Sequence, residues 1–145
     1  MENTEREITI FVCGPSDYVD TKSICGNLRY TLGNIQEKRH KNIKILLKKE
    51  DGDFYNAVKD YASANNIEIE TEENDANDDS YINRMDLCVA FYKPKCGVEK
   101  EIKKVLQNKR IVHTLFISKS GSTRRVCVEK MEDFTQFQRI FDKMY

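Results

Sequence analysis

Apolar and polar positions along this chain change period in blocks. Ile8 to Cys13 is a mostly apolar run that ends in the turn residues Gly14-Pro15-Ser16-Asp17, which predicts a first strand and a sharp exit. From Thr21 to Leu32 the apolar positions Ile24, Leu28 and Leu32 recur every four residues, a helical stripe, and the basic, polar stretch from Gly33 to Asn42 predicts a loop or a frayed helix end. Ile43 to Leu47 is a second strand, followed by the polar loop Lys48 to Asp53. A helix with Phe54, Ala57, Val58, Tyr61 and Ala62 on its apolar face comes next, with Asp53 placed as its N-cap and Asn65-Asn66 as its stop. Ile67 to Glu70 alternates as a short third strand, Thr71 to Asp79 is an acidic loop, and Ser80 to Met85 is a helical turn.

The most informative stretch is Asp86 to Glu101. Residues 87 to 92 are almost continuously apolar, as a strand buried on both faces requires, and the run breaks at Pro94 and Gly97. Val98, Ile102, Val105 and Leu106 then fall at helical spacing. Ile111 to Ile117 is a further strand, Ser118 to Thr123 a hairpin-like link to Arg124 to Val128, and Met131 to Met144 a last helix with Phe134, Phe137, Ile140 and Phe141 on one side. Strands and helices alternate from the start, which predicts right-handed crossovers and an α/β fold: a three-layer, Rossmann-like, mainly parallel sheet flanked by helices, in one domain over 1–145.

Composition narrows the classes. With 39% hydrophobic and 33% charged residues the chain is globular, and no apolar run approaches the roughly 18 residues of a membrane span. The first residues are polar and acidic, unlike a secretory signal, and an odd number of cysteines without a paired motif makes the cytoplasm the expected compartment. The formal net charge of zero predicts no bulk attraction to nucleic acid or membrane; any anion is expected to be held locally. Five cysteines without a Cys-x-x-Cys pair argue against a disulfide framework and a zinc ribbon. Cys13 and Cys88 read as buried core residues. Cys96, between Lys95 and Gly97, is where neighbouring positive charge would lower a thiol pKa. The acidic loop has no EF-hand spacing, and no metal or cofactor is expected.

In a parallel sheet, ligands bind at the carboxyl ends of strands, where following helix N-termini offer free N–H groups. That places Gly14, Pro15, Ser16, Asp17, Lys48, Lys49, Tyr92, Lys93, Lys95 and Gly97 as candidate ligand-binding residues. Tyr18, Phe54, Tyr81 or Tyr92 would stack on a base. No Walker motif and no complete Gly-x-Gly-x-x-Gly fingerprint is present.

Three pieces of the chain resemble the SLOG superfamily of Rossmann-like nucleotide-ligand domains related to LOG proteins and the DprA core. Gly14-Pro15-Ser16-Asp17-Tyr18 resembles its first loop, Asp51-Gly52-Asp53 with the following helix its Gly-Ala-Asp segment, and Asp86 to Phe91 its Asp-x-x-Val-Ala-Phe strand. Lys48-Lys49-Glu50 departs from the family's glycine-rich phosphate loop, and Asn77-Asp78 stands where an Arg-Asn pair is usual, which makes Arg84, one helical turn later, the candidate ligand-binding residue to supply the missing charge. Gly97-Val98-Glu99-Lys100-Glu101 is similar to the Gly-Thr-x-x-Glu motif of LOG phosphoribohydrolases and nucleoside deoxyribosyltransferases, with valine in place of threonine.

The resemblance implies a nucleotide-derived small molecule as partner, bound and sequestered without conversion, in the manner of a viral antagonist of nucleotide-based immune signalling. The alternative is an N-glycosidase with Glu101 as the catalytic carboxylate, assisted by Asp17 or, from the opposite sheet edge, Asp86. A third reading is a protein-interaction scaffold. Glu99 and Glu101 also suit the first turn of a helix on electrostatic grounds alone. The aromatic last helix predicts a homo-oligomer.

Overall fold

The computed structural model describes residues 7–39, 42–48, 52–72 and 80–144; Lys49, Asp51 and most of the acidic loop, 73–79, lie outside the described residues. Six strands form one sheet: β1 (Ile8–Cys13), β2 (Ile43–Lys48), β3 (Glu68–Glu72), β4 (Leu87–Tyr92), β5 (Ile111–Ile117) and β6 (Thr123–Val128). Their order is β3-β2-β1-β4-β5-β6, with β1 to β5 parallel and β6 antiparallel to β5. The helices are α1 (Thr21–Arg39), α2 (Asp53–Ala64), α3 (Ser80–Arg84), α4 (Val98–Gln107) and α5 (Met131–Met144). This is the three-layer, Rossmann-like α/β architecture that the hydrophobic pattern predicts.

Strand parity divides the core. Ile8, Ile10 and Val12 of β1, with Val89 and Phe91 of β4, pack beneath Ile24, Leu28 and Leu32 of α1 and Phe54 and Val58 of α2. Phe11 and Cys13, with Cys88, Ala90 and Tyr92, face α3, α4 and Phe134 of α5 on the other side. Because every residue of β4 is buried, this strand is the spine of both cores.

Three local features differ from expectation. α1 runs past Gly33 to Arg39, because Ile35 continues the apolar stripe and is buried beside Leu32. Its start is capped by Asp20, whose Oδ1 accepts the Ser23 N–H at 3.1 Å. Asp53 is the first residue of α2 rather than its cap; Gly52 holds that position, and no side chain caps the helix. Gly52 has φ +142°, and a Cβ there would lie 2.6 Å from the Ser16 carbonyl oxygen, so the close approach of the two loops requires glycine. Finally, β3 includes Thr71 and Glu72, which the sequence pattern assigns to the acidic loop.

Candidate functional site

The strand order reverses direction between β1 and β4, the switch point where an open parallel sheet leaves a crevice at its carboxyl edge. A cleft of about 230 Å³ lies there. Cys13 and Gly14 leave β1 into it, Lys48 ends β2 beside it, and Gly97 and Glu101 enter from the start of α4. Gly14 is buried against α2: the Tyr55 hydroxyl donates to its carbonyl at 3.3 Å, and a Cβ on Gly14 would fall 2.5 Å from Cζ of Phe54. The cleft floor is therefore fixed by the packing of α2.

Glu101 is the best-positioned charged group in the cleft. The Tyr81 hydroxyl donates to its Oε2, and Lys48 Nζ stands 3.5 Å from its Oε1. Lys48 Nζ also lies over the Tyr81 ring, 4.6 Å from the centroid. Tyr81 is fully buried and packs on Phe11 with ring centroids 5.0 Å apart, so its hydroxyl has a defined direction. β2, α3 and α4 thus converge on one carboxylate. Acid in the first turn of α4 suits the helix dipole, but these two partners give Glu101 an orientation that the dipole alone would not.

Around the rim, Lys93 Nζ pairs with Asp17 Oδ1 at 3.4 Å; Asp17 is 77% exposed, so the pair is screened by solvent. Ser16 lines the cleft, Pro15 is buried behind it, and Lys95 is exposed in the turn, with φ +63°. Lys48, which lines the cleft, and Lys93 both have carboxylate partners, whereas Lys95 has no ion pair among the described residues.

The structure brings together Gly14, Ser16, Lys48, Gly97 and Glu101, and separates other candidates from them. Tyr92 is not a cleft residue. It is 1% exposed, its hydroxyl donates to Asp142 Oδ1 at 3.0 Å and accepts from Gln138 Nε2 at 3.0 Å, and its ring packs on Phe116, Phe134 and Phe141. Burial, with Asp142 nearby, pushes its hydroxyl well above the ordinary tyrosine range, although the Gln138 hydrogen bond acts the other way.

Arg84 is also engaged elsewhere. Its guanidinium pairs with Glu70 and Glu72 of β3, so it anchors α3 to the sheet edge. Asp86 accepts the Thr9 N–H at 2.8 Å at the amino ends of β1 and β4, across the sheet from Glu101. Phe54 is core, and Tyr18 is buried with its hydroxyl donating to Ser23 Oγ at 2.9 Å; neither presents a free stacking face to the cleft.

Cys96 borders the cleft, but burial pushes its thiol up, outweighing the backbone N–H groups of Lys93 and Val98 that act in the opposite direction. The expected lowering by positive charge is overturned, because the neighbouring lysine extends into solvent while Glu99 adds negative charge. Cys13 and Cys88 face each other with sulfurs 4.0 Å apart, and the contact with Cys88, followed by burial, raises Cys13. Among the described residues no group of His, Cys, Asp and Glu is arranged to hold a metal ion, and no helix is long and apolar enough to cross a membrane.

A larger depression of about 550 Å³ lies between α1 and α2 at the amino edge of β2 and β3, bordered by Glu7, Arg29 and Glu68. It has no counterpart of the Glu101 constellation, so chemistry rather than volume singles out the smaller cleft. The residue that sequence reasoning undervalued is Tyr81: it was a stacking candidate, whereas its hydroxyl orients Glu101. In comparisons with known proteins, no family model matches the chain and no curated protein matches it at a significant level.

Proposed function

We propose that the cleft at the β1/β4 switch point captures the sugar end of a nucleoside-derived small molecule without converting it. The observation that carries this reading is the engagement of both Glu101 carboxylate oxygens, one by Tyr81 and one by Lys48, the lysine that lines the cleft. A polyphosphate drawing on Lys48 would have to break its ion pair with Glu101, whereas the hydroxyls of a ribose can accept from Lys48 and donate to Glu101 with the pairing intact. The cleft volume of about 230 Å³ suits a sugar with part of its base, being below the roughly 300–1,000 Å³ of sites that engulf a whole drug-sized ligand.

Together with the SLOG-like first loop and strand, this supports a degenerate SLOG-type domain that sequesters a nucleotide-derived signal, as an antagonist of nucleotide-based signalling would in the cytoplasm. The apolar residues left exposed on α5, Phe137, Ile140 and Met144, support self-association as part of the same reading.

A second reading is favoured by one observation, the orientation of Glu101 by Tyr81. In an N-glycosidase the Glu101 carboxylate would attack the anomeric carbon as the C–N bond breaks. The base would leave with a proton from solvent, and water would then release the sugar.

The test is to incubate the purified chain with nucleosides, nucleotides, cyclic nucleotides and ADP-ribose derivatives, then denature it and identify what is released. Intact ligand near one per site, lost in Lys48→Ala, supports capture. Free base accumulating with turnover, and abolished in Glu101→Gln, overturns capture in favour of the glycosidase. Retention of neither ligand nor product, with tight recovery of a protein partner, overturns both in favour of a scaffold.

A further inference from the structure

At the opposite end of the sheet, on the α1 face, a second groove of about 350 Å³ opens between α1 and the β5–β6 hairpin. Lys38 and Asn34 approach it from the last turns of α1, and His113 and Arg125 from β5 and β6. Among the described residues its lining holds no aspartate or glutamate. Neither Lys38 nor Arg125 makes an ion pair among the described residues, in contrast to the paired lysines of the Glu101 cleft. Arg125 is held instead by the face of Tyr30, its guanidinium carbon 4.2 Å from the ring centroid. The Tyr30 hydroxyl is pushed below its usual range by its hydrogen bond with Arg125, then by Asn34.

The second observation is independent of the charges. Thr31 lines the same groove, is 1% exposed, and its hydroxyl has no hydrogen-bond partner. A threonine inside a helix ordinarily donates back to the preceding turn, and a buried polar group left unpaired costs about 1–3 kcal/mol. An acceptor entering the groove would satisfy it. Beneath the polar groups, Ile35, Leu87 and Ile111 provide an apolar floor.

We propose that this groove is a binding site for a small organic phosphate. The phosphate sits between Lys38 and Arg125 with Asn34 and Thr31 as donors, and the organic body lies on the apolar floor. Phosphate fits because its several oxygens can use the Arg125 fork, the Lys38 ammonium and a hydroxyl at once. The volume exceeds what inorganic phosphate fills, which assigns the remainder to an apolar body. The site is at the amino ends of β4 and β5, so it is separate from the cleft proposed above and stands whether or not that reading holds.

The test uses the full chain and phenyl phosphate, with inorganic phosphate and phenol as the two halves of the probe, followed by backbone amide NMR. Phenyl phosphate is expected to shift the amides of Thr31, Asn34, His113 and Arg125 and to bind more tightly than either half. Arg125→Ala and Lys38→Ala each weaken it about tenfold, as expected for losing one charge-assisted contact. Both side chains are exposed, so these variants should keep the wild-type thermal midpoint. Lys48→Ala leaves the affinity unchanged. No shift at about 10 mM phenyl phosphate, shifts confined to the Glu101 cleft, or equal affinity in wild type and Arg125→Ala would overturn the site. Equal affinity for inorganic and phenyl phosphate would overturn the assignment of an apolar body.

Discussion

Tyr81→Phe isolates the bond on which the orientation of Glu101 rests. The substitution keeps the ring that packs on Phe11 and lies beneath Lys48, and it removes only the hydroxyl that donates to Glu101 Oε2. A hydrogen bond to a charged acceptor contributes about 1.5–3 kcal/mol. Because the Glu101 side chain is 21% exposed, water can replace the lost donor in part, so the expected cost lies at the low end, about 1.5 kcal/mol. With a urea m-value of about 2 kcal/mol/M, the unfolding midpoint should fall by about 0.7 M. Glu101→Gln removes the charge that both Tyr81 and Lys48 engage. The double variant should then show a coupling energy of about 1 kcal/mol between positions 81 and 101. Urea titrations of the four proteins, followed by circular dichroism, measure both quantities. If Tyr81→Phe costs less than about 0.5 kcal/mol, or the two changes add to within about 0.3 kcal/mol, Glu101 is not held by Tyr81 in solution, and both functional readings of the cleft lose their geometric basis.

Gly14→Ala should destabilise the protein by about 1–3 kcal/mol, because the new methyl meets the fully buried Phe54 ring; restoration of the urea midpoint by Phe54→Leu in the same chain would confirm the cause. For Tyr92, whose folded pKa is raised, the neutral form is favoured by folding. Its contribution is therefore fully present below the unfolded value of about 10 and is lost as pH rises through the folded one. Wild-type stability should fall as pH rises from about 10 toward the folded value more steeply than that of Tyr92→Phe, and the difference cancels the similar, burial-driven contribution of Tyr61. In thiol labelling followed by mass spectrometry at pH 8, roughly the free-cysteine pKa, exposed Cys127 should react before half-buried Cys96, while Cys13 and Cys88 react only on unfolding. Faster labelling of Cys96 than Cys127 would contradict the burial that raises its pKa.

Where the hydrophobic pattern was strong, it defined the elements; where two weak effects competed, it did not. The strands were legible because a parallel strand buried on both faces reads as an apolar run, as Leu87 to Tyr92 does. Gly33 marked a break in α1 because glycine costs about 1 kcal/mol inside a helix. Burying Ile35 one turn beyond Leu32 contributes about 1.5–3 kcal/mol, so packing wins and the helix continues to Arg39. Asp53 has the chemistry of an N-cap, yet the close approach of Gly52 to Ser16 decides where α2 begins. That contact joins two loops far apart in sequence, and no local pattern reports it.

The candidate site was legible in the same measure. Gly14, Ser16, Gly97 and Glu101 were correctly drawn to one edge, because strand ends and helix starts fix backbone positions. Tyr92 was drawn there too, but a fully apolar strand conceals which neighbours each side receives. Its hydroxyl meets Asp142 and Gln138, which arrive only with α5. Charge was the least legible property, since a lysine in the sequence is a cation whether or not the fold supplies its partner. Lys48 stood out as a phosphate ligand and is taken up by Glu101, and Arg84 stood out as a replacement charge and is taken up by Glu70 and Glu72. Lys38 and Arg125 belong to no strand-end motif, yet among the described residues the fold leaves these two without an ion pair beside a buried hydroxyl without a partner. Lys38 and Arg125 therefore lie at the edge opposite the one that strand-end reasoning selects, where no local pattern in the sequence draws attention to them.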